Sequence, residues 1–331
     1  MFDQKRRLFC YSLAAELPDQ WDQLAADNEF LTQSGLSLLE QVNPCGQRYY
    51  IDGENRFIFV TYRLKLDLFT YAKNLALRLP INMLGLPVSV ASPGFSFAGP
   101  DGQAAFEQCL RSWPCFLVLL NAATHLNLPA APTLSAYELA IPWHSFSAYL
   151  AALRSNYRRA ALQSLTVLRT LECRWLQPAD FSDALYALYL DVYKRSEAKL
   201  ECLSIDFFRR APAKIAAFYI EDRPAAFLQL RKSGTRLQFV FGGFSAESAG
   251  SALYPGLLLF MVEQAINEDC SLLQLGQTAD DAKSRTGAVE RILYMHIWHP
   301  FPPLRWLLTL LLPIFSWKPG RFRHRVFRSP V

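Results

Sequence analysis

Nowhere in this 331-residue chain does an uninterrupted apolar run approach the ~20 residues of a membrane-spanning helix. The seven cysteines (10, 45, 109, 115, 173, 202 and 270) form no Cys-x-x-Cys pair and no finger spacing. That excludes the common zinc modules and predicts reduced thiols in a cytoplasmic protein. The five histidines do not converge in sequence: His296 and His299, three apart in an extended stretch, point to opposite faces. No metal site is expected. There is no Gly-x-Ser-x-Gly elbow and no phosphate loop of the Walker type. Lys5, Arg6 and Arg7 lie near the start, but no apolar segment of adequate length follows before Glu16, Asp19, Asp22 and Asp27, so no signal peptide is expected.

What the chain does have is apolar bulk, with 51% hydrophobic and 14% aromatic residues. That composition is globular, and the length suits two hydrophobic cores. The aromatic share suggests, beyond cores, an apolar groove or a membrane-facing surface. Charge is unevenly spread. From Pro300 onward there are six cations (Arg305, Lys318, Arg321, Arg323, Arg325, Arg328) and no acid, more than the whole chain's formal net charge of +5. The basic excess therefore sits entirely in the tail.

The pattern predicts a helix over 17–42 with a break near Ser34-Gly35. A hairpin follows over 48–62, turning at Asp52-Gly53-Glu54-Asn55. A loop-rich extended stretch spans 81–95. A helix near 104–113 and strands at 115–120 and 136–141 complete a first α/β unit. A helix from Ser145 or Ser147 to about Leu162 opens the second, followed by a strand over 166–175 and a helix over 181–196. Three strands (216–220, 225–231, 236–244) are joined by turns short enough for an antiparallel meander. A helix over 254–268, a buried strand at 272–275 and a last strand at 293–298 follow. The two halves look alike, as a duplicated fold would.

The densest chemistry is the stretch Leu275-Gly276-Gln277-Thr278-Ala279-Asp280-Asp281-Ala282-Lys283-Ser284-Arg285. A polar cluster at the end of a buried strand is where open α/β sheets place ligands. The alternative is a plain capping box, with Thr278 as N-cap and Asp281 at N3. Capping requires neither Gln277 nor Lys283, which makes those two the better functional candidates. Arg154, Arg158 and Arg159 share or flank one helix face. Read as lying near a helix C-terminus, they are either a dipole complement or a clamp for phosphate or carboxylate.

Leu153-Arg154-Ser155-Asn156-Tyr157-Arg158-Arg159, Tyr193-Lys194-Arg195-Ser196, Leu200-Glu201, Phe241-Gly242-Gly243 and Gly276-Gln277-Thr278 with Lys283 together resemble the FemAB-like group of the N-acetyltransferase (GNAT) fold. Asn43-Pro44 and Gly85-Leu86-Pro87-Val88-Ser89-Val90 look similar too, so the resemblance covers roughly residues 15–300. It implies an α/β (α+β) chain of two GNAT-like lobes, each a mixed, largely antiparallel sheet flanked by helices. The expected division is 1–143, 144–300 and a 301–331 tail.

The resemblance also implies transfer of an acyl or aminoacyl group to a small-molecule or lipid-like amine. The donor is acyl-CoA as co-substrate, or aminoacyl-tRNA if the chain is Fem-type; no DNA partner is expected. The pyrophosphate signature of ordinary GNAT enzymes, Gln/Arg-x-x-Gly-x-Gly/Ala, is missing after Phe244, where Ser245-Ala246-Glu247-Ser248-Ala249-Gly250-Ser251-Ala252 stands instead. A non-catalytic module binding a cell-wall precursor or lipid is the contrasting expectation. Expected catalytic residues are Tyr193 as an acid, Glu201 or Asp281 as a base, and Lys283 as an oxyanion or phosphate partner. Expected binding residues are Arg154, Arg158, Arg159, Ser196, Gly242, Gly243, Gln277 and Thr278.

Residues 302–317, apolar with Trp306 and Trp317 and followed by cations, read either as an interfacial anchor on anionic lipid through 302–328 or as a buried terminal helix. The expected location is cytoplasmic, peripheral on the inner membrane face.

Overall fold

The computed structural model describes residues 8–67, 78–88, 90–196, 202–245, 252–317 and 324–329. In chain order its elements begin with β1 (Leu8–Tyr11), α1 (Gln20–Ala25), α2 (Gln33–Val42), β2 (Arg48–Asp52) and β3 (Phe57–Asp67). Then come β4 (Arg78–Leu84), β5 (Phe95–Phe97), α3 (Gly99–Arg111), β6 (Leu117–Ala122), β7 (Ala130–Pro132) and β8 (Ala136–Ala140). The middle holds α4 (Phe146–Ala152), α5 (Ser155–Leu168), β9 (Glu172–Leu176), α6 (Asp183–Arg195) and α7 (Ile205–Arg210). Next are β10 (Lys214–Ile220), β11 (Arg223–Ser233), β12 (Arg236–Phe244), α8 (Leu253–Asn267) and β13 (Leu272–Gln277). The last are α9 (Asp280–Ser284), β14 (Val289–Arg291), β15 (Tyr294–Trp298) and α10 (Pro302–Phe315).

Two compact units result, one of Met1–Leu134, Ala198–Ser204 and Ile292–Pro319, the other of Ser135–Glu197, Ile205–Arg291 and Gly320–Val331. The first holds a sheet ordered β1-β2-β3-β4-β6-β15-β7 with β5 beside β3; the second holds β14-β8-β13-β12-β11-β10-β9. Each sheet is antiparallel except for one parallel pair, β4 with β6 and β12 with β13. In both, the strand beside the parallel pair comes from a distant part of the chain: β15 pairs β6, and β8 pairs β13. The architecture is the expected pair of mixed, largely antiparallel sheets flanked by helices.

In the first unit the expected hairpin forms, pairing Arg48–Ile51 with Thr61–Ile58. Its turn is held by Asp52, whose carboxylate accepts from Arg56 Nε at 2.7 Å and Nη2 at 3.1 Å. Alternating Phe57 and Phe59 pack with Phe95, Phe106 and Leu110 into a buried aromatic core. The helix expected over 17–42 is interrupted, but at Ala26 (φ 49°) and not at Ser34-Gly35. Gly35 lies inside α2 because a Cβ there would meet the Glu29 carbonyl at 2.1 Å. It is a packing glycine.

In the second unit α5 and α8 cover one sheet face with a core that includes Tyr137, Leu165, Leu168, Leu228, Leu257 and Leu273. The other face carries Tyr189 of α6 and Phe207 and Phe208 of α7 against Phe241 and Phe227. The single helix expected over 145–162 is two helices. The C-terminal segment bridges Leu153 to Phe327 and takes Arg154 N–H on the Val326 carbonyl, while Arg328 N–H donates to Ala152. Those backbone groups are thereby lost to helix hydrogen bonding, so α4 stops and α5 restarts.

Candidate active site

The parallel pair β12/β13 shares ladder register only over Arg236–Gln238 with Leu272–Gln274. Beyond that β12 continues to Phe244 and β13 to Gln277, so the carboxyl ends part without ladder bonds between them. A register shift against β11, where Gln229 faces Phe241 and Leu230 faces Phe239, leaves Val240 bulged. Diverging strand ends beside a bulge offer unpaired backbone groups to a ligand.

The chain then turns sharply. Gly276, Thr278 and Ala279 all have positive φ, at 69°, 64° and 55°. For a β-branched threonine that conformation costs on the order of 1–3 kcal/mol. Helix α9 starts from Ala279 with no side-chain cap. The capping box expected from Thr278 and Asp281 is therefore absent, and both carboxylates have other partners.

Asp280 and Lys283 enter a buried polar network. Lys283 is 1% exposed, and its ammonium donates to the Gln277 carbonyl and lies 5.9 Å from the centre of the Tyr137 ring. Burial brings its pKa down to about 7, against the opposing pull of Asp280. Burial likewise raises the Asp280 carboxyl above the usual carboxylate range, although Lys283 and a hydrogen bond with Tyr137 oppose it. The Tyr137 hydroxyl is pushed up by burial first and by Asp280 next. A half-buried carboxyl raised in this way is a stronger proton acceptor than a solvated carboxylate.

Asp281 faces a different set. Its carboxylate accepts from Arg285 Nε at 2.7 Å and meets His324 Nε2 at 2.8 Å. His324 Nδ1 in turn lies 3.0 Å from the Tyr157 hydroxyl. The Arg285 bond, seconded by His324, holds Asp281 below the usual carboxylate range, so it is a weak base.

Arg154 is the N-cap residue of α5, without a side-chain capping bond, and Arg158 and Arg159 are its fourth and fifth residues. The sequence reading put them near a helix C-terminus; the break at Leu153 puts them at an N-terminus instead. There the helix dipole opposes cations and favours an anion among them. Arg154 Nε donates to the Phe327 carbonyl, while Arg158 and Arg159 have no carboxylate partner among the described residues. With Arg328, Ser155, Gln163 and Thr166 they line an open groove of about 430 Å³.

Tyr193 and Ser196 lie at the end of α6, on the sheet face opposite α5 and α8; Ser196 is the helix C-cap. Arg195 Nη2 ties that end to the Phe244 carbonyl at 2.8 Å. Gly243 lets α6 approach β12: a Cβ there would stand 2.6 Å from Leu188 C, Tyr189 N and the Phe227 ring. Gly242 would meet the Phe227 carbonyl and the Phe239 ring at 3.0 Å. Glu201 lies outside the described residues. Among the described residues no group of three or more His, Cys, Asp or Glu could hold a metal ion. Asp280, Tyr137, His324 and Arg328 are not among the site residues expected from the sequence. Only Asp280 left a signal there, as half of a carboxylate pair.

Residues 151–284 match the acetyltransferase (GNAT) domain family. No curated protein sequence matches the chain. Among solved structures, the C-terminal domain of a putative lysylphosphatidylglycerol synthetase from Agrobacterium fabrum aligns with TM-score 0.57 and 10% identity, covering 91% of this chain and 97% of that one. L-PGS from Bacillus licheniformis aligns with TM-score 0.52 and 10% identity, over 83% and 95% of the two chains. FemX aligns with TM-score 0.50 and 10% identity, over 80% and 90%. Identities this low speak for the fold alone. Residues 151–284 thus match the GNAT acetyltransferase domain, and the two-sheet build is similar in fold to FemX and the lysylphosphatidylglycerol synthetase domain.

Proposed function

We propose that the chain transfers an acyl group from acyl-CoA, or a similar thioester, to the amine of a small or lipid-like acceptor. The observation that carries this reading is the buried Lys283–Asp280–Tyr137 network at the point where β13 leaves β12. The acceptor nitrogen attacks the acyl carbonyl, forming the C–N bond, and the C–S bond breaks. Asp280 takes the proton from the amine, and Lys283 beside it sets the charge. Tyr193 returns a proton to the leaving thiolate, and Gln277 and Thr278 line the opening where β13 parts from β12. Asp281, engaged by Arg285 and His324, positions α9. Arg158 and Arg159, near a helix N-terminus and without carboxylate partners among the described residues, hold the phosphates of the donor.

One observation favours aminoacyl-tRNA as the donor instead: the pyrophosphate signature is missing after Phe244. The same arginines would then meet the tRNA backbone. The name of one neighbour, a lysylphosphatidylglycerol synthetase, puts an aminoacylated lipid among the products linked to this fold. All seven cysteines are free, which supports a reducing, cytoplasmic setting.

Isothermal titration with CoA and acetyl-, octanoyl- and palmitoyl-CoA separates the donors. Saturable binding that strengthens with chain length supports the thioester. Absence of binding, with transfer from charged tRNA, supports the second reading. Neither binding nor transfer would leave a binding-only module and sink the proposal.

A further inference from the structure

Helix α10 is inverted relative to an ordinary surface helix. It lies on β15 and β7 of the first sheet, burying Leu312 and packing Leu308 against Met83, Val118 and Ile297. Its single charged residue, Arg305, turns inward, with the guanidinium 4.3 Å from the Trp298 ring centre. The opposite side faces solvent and is apolar: Trp306 is 66%, Leu310 56% and Ile314 58% exposed, with Leu307 beside them. A surface helix normally puts its polar side outward. Trp317 N–H donates to the Pro132 carbonyl, fixing the end of the helix on the same unit.

We infer that this outer face of α10 docks on the surface of an anionic lipid bilayer. The helix has 14 residues, about 21 Å of rise against the ~30 Å hydrocarbon core, so it lies in the interface and does not span. Its exposed tryptophan suits the headgroup boundary. Lys318, Arg321, Arg323, Arg325 and Arg328 follow in the sequence with no acid from Pro300 onward. Apolar side chains followed in sequence by cations, with no carboxylate from Pro300 onward, match a surface of acyl chains under anionic headgroups. A second copy of the chain fits worse, because a symmetric contact would bring two all-cationic tails together. The inference does not depend on the proposed transfer chemistry.

Sedimentation of the full chain with phosphatidylglycerol vesicles and, separately, phosphatidylcholine vesicles tests it. The expected result is strong partition to the anionic vesicles, weakened by salt, with a blue shift in tryptophan emission that Trp306→Phe removes. Both side chains of the double variant L310E/I314E start exposed, so it should fold normally by circular dichroism. It should lose roughly a hundredfold in partition. Wild type that stays in the supernatant with both lipids overturns the inference, as does a double variant that still binds. A lipid-free dimer dispersed by L310E/I314E would overturn it in favour of self-association.

Discussion

His324 Nε2 meets Asp281 Oδ1 at 2.8 Å, and this pair joins the C-terminal segment to the helix that follows β13. With Tyr157 on the far side of the imidazole, three elements distant in sequence converge on one ring. Asp281 has a depressed pKa in the folded state, because Arg285 and then His324 bond its charged form. Its contribution to stability is therefore present above the unfolded value and lost as pH falls through the folded one. Asp281→Asn should release residues 324–329 to proteolysis and flatten the acid limb of the stability curve below about pH 4. An unchanged digestion rate and acid limb would show the pair to be incidental.

Lys283 gives the same sign in a higher pH window. Its folded pKa of about 7 lies well below the unfolded value. Between about 7 and about 10 the unfolded chain holds a proton that the folded chain has released. Stability from this group therefore rises with pH across that window. Relative to Lys283→Met, the wild type should gain stability as pH goes from about 7 to about 10, by a few kcal/mol at most. Thermal melts of both proteins over that range check it; a constant difference would mean that the lysine titrates normally. In turnover, Asp280→Asn should fall by about a hundredfold or more and Asp281→Asn by about tenfold or less. The reverse order would move the base to Asp281.

Gly243 separates packing from ligand contact. An added methyl meets two backbone atoms of α6 and the Phe227 ring, none of which is the far end of a flexible chain. Gly243→Ala should cost about 1–3 kcal/mol in denaturant unfolding. A stable variant with impaired donor binding would give this glycine a ligand role instead.

The parts of this fold legible in the sequence are those fixed by local pattern. The 48–62 hairpin shows its turn residues, the 214–244 meander its short connections, and β13 its apolar run. What stayed hidden depends on pairing across the chain. The break between α4 and α5 is imposed by Val326, Phe327 and Arg328, more than 160 residues away. The sequence separation of 43 between Asp281 and His324 kept that bond out of sight, and the burial of Lys283 depends on Tyr137 from a strand in the first half. In the candidate site, Gln277, Asp281 and Lys283 were visible because polar residues after a buried strand stand out. Asp280 was not separable from Asp281 until burial distinguished them.

The same hidden break reverses the meaning of the arginines. At a helix C-terminus Arg158 and Arg159 would stabilise the helix, and neutralising them would cost stability. At the N-terminus of α5 they oppose the dipole. Arg158→Ala with Arg159→Ala should therefore leave the fold equally stable, or more stable by about half a kcal/mol at low salt. Binding of a phosphate-rich donor should weaken in the same variant by about tenfold or more, and less steeply with added salt than in the wild type. Melting temperature and donor titration on one preparation give both signs. A destabilised variant with unchanged donor affinity would return the two arginines to a structural role and remove the groove they share with Arg328 from the active site.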